Sequence, residues 1–396
     1  MMDSAAGEAA VPRAFLKVGA GTVARHQLAL ALALDCTMIV CLVRELSSDI
    51  VEIQHRAEQA GARFHAITGP RALVSLVTAS DEVVVLADGL LAAPQSALPL
   101  LESGNVVLVQ PVESGTAAGF ERIDFNHAAA GLMRIPGRLV ERLAELEPDC
   151  DTASSLMRVA LQAGISQRLV PAEARDGVRW SLVRSEGEAS AIEAGWIALH
   201  NDNGSIATPT SLLARLGVKL AGPAILHAGS GGNVPFLAAL AVDAMAFGLG
   251  WFGWTIAALV LGALAWVGFG FAAMLRSVER ASLCLGPDRW PPQAIFAWFH
   301  DLLLVAVLAL NQQVLPWIGW SERIFIPLIL LCIIRLVPRA LENRWIAQVE
   351  DRAMLGSLLA LACGFGVLNQ AMPAAAAALG IIGILLPGGK SRLTRV

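Results

Sequence analysis

The chain has 396 residues, of which 56% are hydrophobic, and its formal net charge is −4. Residues 1–222 contain 18 basic and 25 acidic side chains, a balance of −7, whereas the remainder contains 11 basic and 8 acidic ones, a balance of +3. A negatively charged first half without a run of Lys or Arg is a poor surface for phosphate backbones, which excludes nucleic acid as a partner.

The beginning of the chain lacks the pattern of a secretion signal. The first 13 residues are rich in alanine and include Asp3 and Glu8, and no basic stretch is followed by an apolar run. We therefore expect the first half of the protein to lie in the cytoplasm.

Short β-rich runs alternate with helical patterns in the first half. Buried strands are predicted at residues 37–43, 82–87 and 105–110, and helices at residues 22–34, 47–59, 136–146 and 152–163. Strands that alternate with helices of 10–15 residues predict βαβ units, a mainly parallel sheet and helices on both faces of it. The fold class predicted for residues 1–205 is therefore α/β and Rossmann-like.

The end of the second predicted strand is the best candidate for chemistry in this half. Asp88 and Gly89 follow an apolar run there, and ligands of open α/β sheets bind at the carboxyl ends of strands. Asp88 could hold a Mg²⁺ ion that bridges nucleotide phosphates, while Gly89 lets the backbone approach closely. A turn-forming Asp-Gly pair that only closes the strand is the alternative.

A second polar group lies at residues 121–124. Arg122 and Asp124 are separated by one residue and follow a turn that contains Gly115 and Gly119. They are candidate substrate contacts, and a solvated loop or strand edge is the alternative.

An amphipathic segment precedes the apolar second half. Residues 209–226 place Leu212, Leu213, Leu216 and Leu220 near one face, with Arg215 and Lys219 on another. Such a helix can lie in the membrane interface, or it can pack on the soluble domain as an ordinary amphipathic helix. We assign residues 206–232 to this interfacial helix and a Gly-rich linker.

Residues 233–396 are predicted to form a domain of six transmembrane helices. A spanning helix needs about 20 mostly apolar residues, and several of these runs are shorter, so tilted or thin spans are expected. The runs are residues 234–249, 254–274, 295–314, 324–337, 354–367 and 372–386.

The loop charges predict the orientation of these spans, because cytosolic loops carry the excess of Lys and Arg. Ten basic residues end or follow the second, fourth and sixth runs, and only Arg323 lies in the opposite loops. The protein is thus predicted to be multi-pass in the cell (inner) membrane, with both termini in the cytosol. The ten residues are Arg276, Arg280, Arg289, Arg335, Arg339, Arg344, Arg352, Lys390, Arg392 and Arg395.

The first and the third predicted spans contain ionisable residues. Asp243 lies in the first, and His300 and Asp301 lie in the third. Charges are costly in a bilayer, so each is a candidate for a functional site. The alternatives are a carboxyl group bonded to a neighbouring helix for Asp243 and contact with the lipid head groups for the other two.

The order of these parts resembles bifunctional enzymes in which a sugar- or inositol-phosphate nucleotidyltransferase is fused to a CDP-alcohol phosphatidyltransferase. Leu16, Val18, Gly19 and the helix with Arg25, Gln27 and Leu28 resemble the stretch after that family's phosphate loop. The resemblance implies a nucleotidyltransferase-like cytosolic domain in which Asp88 holds the metal. The family's second signature, D-G-x-x-A-R with further aspartates, is missing, because residues 275–280 read LRSVER.

Two functions are consistent with these features. The first is a protein of lipid head-group metabolism, with degenerate or altered catalytic machinery; if active, it would be a nucleotidyltransferase or phosphotransferase acting on a CDP-alcohol or a phosphorylated head group. The second is a non-catalytic membrane partner or regulator whose cytosolic domain senses a nucleotide. The expected partners are the lipid bilayer, a nucleotide or phosphorylated alcohol, and another membrane protein.

Overall fold

The computed structural model describes residues 11–102, 104–145, 151–201, 208–227, 232–286, 292–311, 319–340 and 348–385. The chain divides into two compact units. We call the first the α/β unit, which comprises Met1–His200 and Val278–Gly286, and the second the helical unit, which comprises Asn201–Ser277 and Pro287–Val396. The chain is mostly helical, and its strands lie in the α/β unit.

The α/β unit alternates strands and helices. Its strands are β1 (Lys17–Val18), β2 (Gly21–Thr22), β3 (Met38–Leu42), β4 (Arg63–Ile67), β5 (Glu82–Leu86), β6 (Leu90–Ala92), β7 (Val106–Pro111), β8 (His127–Pro136), β9 (Gln167–Leu169) and β10 (Trp180–Leu182). Its helices are α1 (Val23–Ala33), α2 (Ser48–Gln59), α3 (Pro70–Val74), α4 (Pro94–Leu101), α5 (Val112–Ala117), α6 (Thr152–Gln162) and α7 (Glu186–Asn201).

The predicted strands and most predicted helices of this unit are present at the expected positions. Polar side chains begin two of the helices. Thr22 Oγ1 accepts a hydrogen bond from the Arg25 amide at 3.3 Å, and Ser47 Oγ accepts one from the Ile50 amide at 3.4 Å. Such N-caps satisfy amide groups that the first turn of a helix leaves unpaired. The predicted helix at residues 136–146 is instead a 3-10 helix, Gly137–Glu145.

The main sheet has the strand order β5-β8-β7-β9 and is covered on both faces. Val106 and Leu108 of β7 pack into one apolar cluster with α1 and α4, whereas Val107 and Val109 pack into another with α6. Adjacent residues of a strand point to opposite faces, so this alternation shows that both faces are buried. Helices therefore lie on both sides of the sheet, as predicted.

The direction of the strands differs from the predicted, mainly parallel arrangement. Among the described strands, β3–β4 and β7–β9 are parallel pairs, while β8 runs antiparallel to both β5 and β7. The sequence of β8 begins HAAAG, and alanine and glycine have low strand propensity, so local pattern did not reveal this strand. The sheets are mixed for that reason.

The helical unit consists of packed helices. They are α8 (Pro209–His227), α9 (Asn233–Trp251), α10 (Thr255–Ser282, whose last turn belongs to the α/β unit), α11 (Pro292–Ala309), α12 (Trp320–Ala340), α13 (Arg352–Gly364) and α14 (Leu368–Leu385). Each of the six predicted spans coincides with one of the helices α9 to α14. Three of them, α9, α10 and α14, are long and apolar enough to cross a membrane.

Apolar side chains fill the inside of the helical unit and also cover much of its outside. Leu259, Leu308 and Ile334, from α10, α11 and α12, are each about 1% exposed in the core. Outward-facing apolar residues are also numerous, among them Leu264, Leu302, Phe325, Leu361 and Ile384. Exposed apolar surface of this extent is typical of proteins that face lipid or a partner.

Helix α8 has one buried and one exposed face. The buried face repeats every four residues, through Thr210, Ala214, Val218, Gly222 and Leu226. The exposed leucines are those that the sequence placed together: Leu212, Leu213, Leu216 and Leu220 are 52–80% accessible. The helix therefore uses small side chains for packing and presents its larger leucines outward.

Candidate functional site

A long groove separates β3 from β5 within the α/β unit. Among the described strands, β3 pairs only with β4 and β5 pairs only with β8, so the facing edges of β3 and β5 carry no shared ladder. Residues 35–42 and 81–86 line the groove from its two sides. The two strands are apolar but only half-buried, because the groove lies where a neighbouring strand would otherwise cover each of them.

The starts of β3 and β5 lie at the same end of this groove. Burial raises the pKa of the Cys36 thiol, just before β3, and the nearby Arg134 guanidinium opposes that rise. Arg134 in turn pairs with Glu82, the first residue of β5. Arg44 and Asp88 follow the carboxyl ends of β3 and β5 by two residues, and both line the groove.

The loop that carries Asp88 is held in place by neighbouring groups. Gln27 of α1 donates from Nε2 to the carbonyl oxygens of Ala87 at 2.8 Å and of Leu90 at 2.9 Å. Gly89 adopts a φ of +80°, and a Cβ atom there would lie 2.6 Å from the Val183 carbonyl oxygen. Only glycine fits this turn, so the conformation around Asp88 is fixed by α1 and by Gly89 together.

Asp88 and Arg44 are the residues of the groove lining that the predicted magnesium and phosphate site would use. Mg²⁺ in nucleotide sites is held by one or two carboxylates plus the phosphate oxygens, and Asp88 supplies one carboxylate. No group of three or more His, Cys, Asp or Glu side chains arranged for a metal occurs in the described part of the chain. Arg44, which sequence reasoning missed, supplies a guanidinium suited to phosphate. The sequence feature that could have identified Arg44 is its position just after a predicted buried strand.

Arg122 and Asp124 do not line this groove. Asp124 Oδ1 accepts hydrogen bonds from the amides of Asn126 at 2.7 Å and His127 at 2.8 Å, and these bonds lower the pKa of its carboxyl group. Arg122 donates from Nε to the Asp124 carbonyl oxygen at 2.8 Å. The two residues thus build an exposed turn before β8, and the structure does not bring them together with Asp88.

The three polar residues predicted inside the spans lie in two buried polar groups of the helical unit, which adjacent residues of α11 bring side by side and which we together call the polar network. His300 Nδ1 is 2.9 Å from Asp243 Oδ1, and the two side chains are 4% and 2% exposed. Asp301, the next residue on α11, accepts from Arg335 Nε at 2.6 Å. It also accepts from Arg352 Nε at 3.1 Å and from Arg352 Nη2 at 3.2 Å.

The two arginines of this network, Arg335 and Arg352, are among the ten basic residues that the sequence pattern assigns to cytosolic loops. Arg352 is 5% exposed, and Arg335 also donates to the Ala297 carbonyl oxygen and lies over the Trp298 ring at 3.7 Å. They therefore neutralise a buried carboxylate, which a count of loop charges cannot reveal. Of the other basic residues counted, Arg289, Arg344, Lys390, Arg392 and Arg395 lie outside the described residues.

The network leaves no carboxylate oxygen of Asp301 open to a cation. Both oxygens accept from guanidinium groups, whose positive charge repels a metal ion. Asp301 therefore serves as an ion-pair partner of two helices, α12 and α13.

Comparison with known proteins gives no family for this chain. No protein-family model matches the sequence, and no curated protein matches it.

Proposed function

We propose that the protein is an integral membrane protein of lipid head-group metabolism whose α/β unit binds a nucleotide or a nucleotide-activated, phosphorylated alcohol. The observation that carries this proposal is that Arg44 and Asp88, which follow the carboxyl ends of β3 and β5, both line the groove. Ligands of open α/β sheets bind at such ends. The link to lipid head groups comes from the resemblance in the order of domains.

Each group of this site has a distinct role in the proposal. Asp88 holds Mg²⁺, which when bound neutralises phosphate oxygens of the ligand. Arg44 pairs with a phosphate through its planar guanidinium. Gln27 and Gly89 fix the loop, so that Asp88 does not have to be ordered when the ligand binds.

The finer description of the α/β unit belongs to the same proposal. We take it as Rossmann-like and nucleotidyltransferase-like. The helices on both faces of the sheet support this description, as does the placement of Asp88 after a strand. In this description, β8 is an antiparallel strand within an otherwise parallel sheet of the α/β unit.

The helical unit is proposed to span the cell (inner) membrane six times, with both termini in the cytosol. Three helices are long and apolar enough to cross, and α11 to α13 lie at the other predicted positions. The exposed leucines of α8 support its placement in the membrane interface.

A second candidate function is that of a non-catalytic partner or regulator that binds the nucleotide without turning it over. Asp301 favours it, because two guanidinium groups occupy the carboxylate. Transfer from a CDP-alcohol in the resembling family depends on aspartates that hold metal ions. Neither the sequence LRSVER nor the neutralised Asp301 supplies such ligands.

Binding and turnover can be tested together on the full-length protein in lipid nanodiscs. We expect CTP or UTP with Mg²⁺ to raise its unfolding temperature, Asp88→Asn to abolish that rise, and Arg44→Gln to reduce it. The exposed Asp49 is not part of the groove lining, so Asp49→Asn is the matched control. Pyrophosphate release after addition of a phosphorylated alcohol would indicate an enzyme, and binding without release a regulator. The absence of any nucleotide effect would contradict the proposal.

A further inference from the structure

The Asp243 carboxylate of α9 has one oxygen without a hydrogen-bond partner. Its Oδ1 is bonded to His300 Nδ1, but no described group donates to Oδ2, although the side chain is only 2% exposed. A buried acceptor that lacks a donor costs about 1–3 kcal/mol, and more when it is charged. Such a group calls for a ligand or for a change of protonation.

A small cavity lies next to this pair. Asp243, His300 and Arg352 line it together with apolar residues of α9, α10, α11 and α13. The cavity has room for about one water molecule, and two polar side chains besides Asp243 give that molecule partners. A water molecule can donate to a carboxylate oxygen and can accept from the O–H of a carboxylic acid. Water in this cavity can therefore bond to Asp243 in either protonation state.

The charges around the pair show what one added proton would do. Among the described residues, the network contains two carboxylates, Asp243 and Asp301, and two guanidinium groups, Arg335 and Arg352, so their charges balance when His300 carries none. Helix α10 contributes the Trp266 ring, 5.1 Å from His300, as an uncharged contact. Both guanidinium groups are bonded to Asp301, and within the described part of the chain His300 is the one group bonded to Asp243. Asp243 is therefore the carboxylate that can change its protonation without breaking an ion pair.

We propose that Asp243 and His300 form a proton-binding site inside the helical unit, in which Asp243 Oδ2 accepts one proton from water in the adjoining cavity. A hydronium ion gives up the proton and leaves as water, and the carboxylate becomes a carboxylic acid. The His300 Nδ1–H bond to Oδ1 persists in both states. The network thereby changes from neutral to a charge of +1, and the helical unit becomes responsive to pH. This inference is independent of nucleotide binding.

Infrared spectroscopy of the full-length protein in nanodiscs tests the site without any knowledge of the activity. We expect the carbonyl band of a protonated carboxyl group to appear on acidification. It should be missing in Asp243→Asn and retained in Asp351→Asn. Asp351 is the matched control because it is also buried, but it accepts bonds from Thr210 and from the amide of Ala353.

A second variant keeps the proposal testable if Asp243→Asn fails to fold. His300→Phe removes the donor to Oδ1, which stabilises the carboxylate, so the same band should already appear after a smaller acidification. A band that Asp243→Asn leaves unchanged, no band at all, or a band that does not move in His300→Phe would overturn the assignment.

Discussion

Asp301 and Arg352, which are 51 residues apart in the chain, form a doubled ion pair inside the helical unit. Arg352 Nε lies 3.1 Å from Oδ1 and Nη2 lies 3.2 Å from Oδ2, and both side chains are about 5% exposed. Arg335 binds the same carboxylate from α12. One aspartate of α11 therefore connects α12 and α13.

Removal of this carboxylate should destabilise the helical unit more than removal of either arginine. Asp301→Asn leaves two buried guanidinium groups without a counter-charge, whereas Arg352→Gln leaves Asp301 paired with Arg335. Breaking a buried ion pair costs about 3–5 kcal/mol. Thermal unfolding in nanodiscs should show the larger loss for Asp301→Asn. Arg215→Gln on α8 is the control, and equal losses for all three variants would refute the network.

The exposed leucines of α8 should contact lipid. A nitroxide label at Leu220, the most exposed of them at 80%, is expected to collide with oxygen dissolved in the bilayer. A label at Lys219, one residue away and about 100° around the helix, should instead collide with a water-soluble nickel chelate. An immobile label at position 220 that neither reagent reaches would show that a protein partner covers this face.

Gly89→Ala should destabilise the α/β unit more than Gly61→Ala. Both glycines have φ values of at least +80°. A Cβ atom at Gly61 would meet nothing within 4 Å, whereas one at Gly89 would meet the Val183 carbonyl oxygen. Gly61→Ala thus reports backbone strain alone, about 1 kcal/mol, and Gly89→Ala adds the clash. Chemical unfolding of the two variants measures the difference, and equal losses would mean that the Asp88 loop is free to move.

Acidification should weaken the α/β unit through His26. Burial lowers the pKa of this imidazole from 6.5 to about 4, and the carbonyl oxygens of Val18 and Ser282, which face its two ring nitrogens, oppose that shift only in part. Because the folded state prefers the neutral ring, its contribution is complete above pH 6.5 and is lost as the pH falls toward 4. The total is on the order of 3 kcal/mol.

The matched comparison for this effect is between a buried and an exposed histidine. His26→Gln should reduce the loss of unfolding temperature between neutral and acidic pH, while His55→Gln, on the exposed side of α2, should leave it as in the wild type. The same acid sensitivity in all three proteins would assign the effect to other groups.

The elements of the α/β unit could be predicted where the cause is local. Thr22 and Ser47 begin helices because their hydroxyl oxygens accept hydrogen bonds from amides three residues ahead. Both partners of each bond are therefore close together in the sequence. Strand β8 could not be found this way, since its HAAAG segment is stabilised by pairing with β5 and β7. The groove between β3 and β5 is likewise a result of strand order, which short-range pattern does not contain.

Prediction of the candidate sites from the sequence has the same limit. Asp243, His300 and Asp301 were recognisable because an ionisable residue in an apolar run is unusual. Their partners Arg335 and Arg352 lie at the ends of apolar runs, where a basic residue is ordinary, so only the packing of α12 and α13 on α11 revealed them. Arg44 became a candidate for the same kind of reason, through its place in the groove lining.

Calorimetric titration of the full-length protein with CTP and Mg²⁺ tests the central claim most directly. We predict one binding event per chain, with affinity at least tenfold weaker in Asp88→Asn, which corresponds to about 1.4 kcal/mol. Asp49→Asn should bind as the wild type does. Absence of binding, or equal affinity in Asp88→Asn and wild type, would contradict a nucleotide site at the carboxyl ends of β3 and β5.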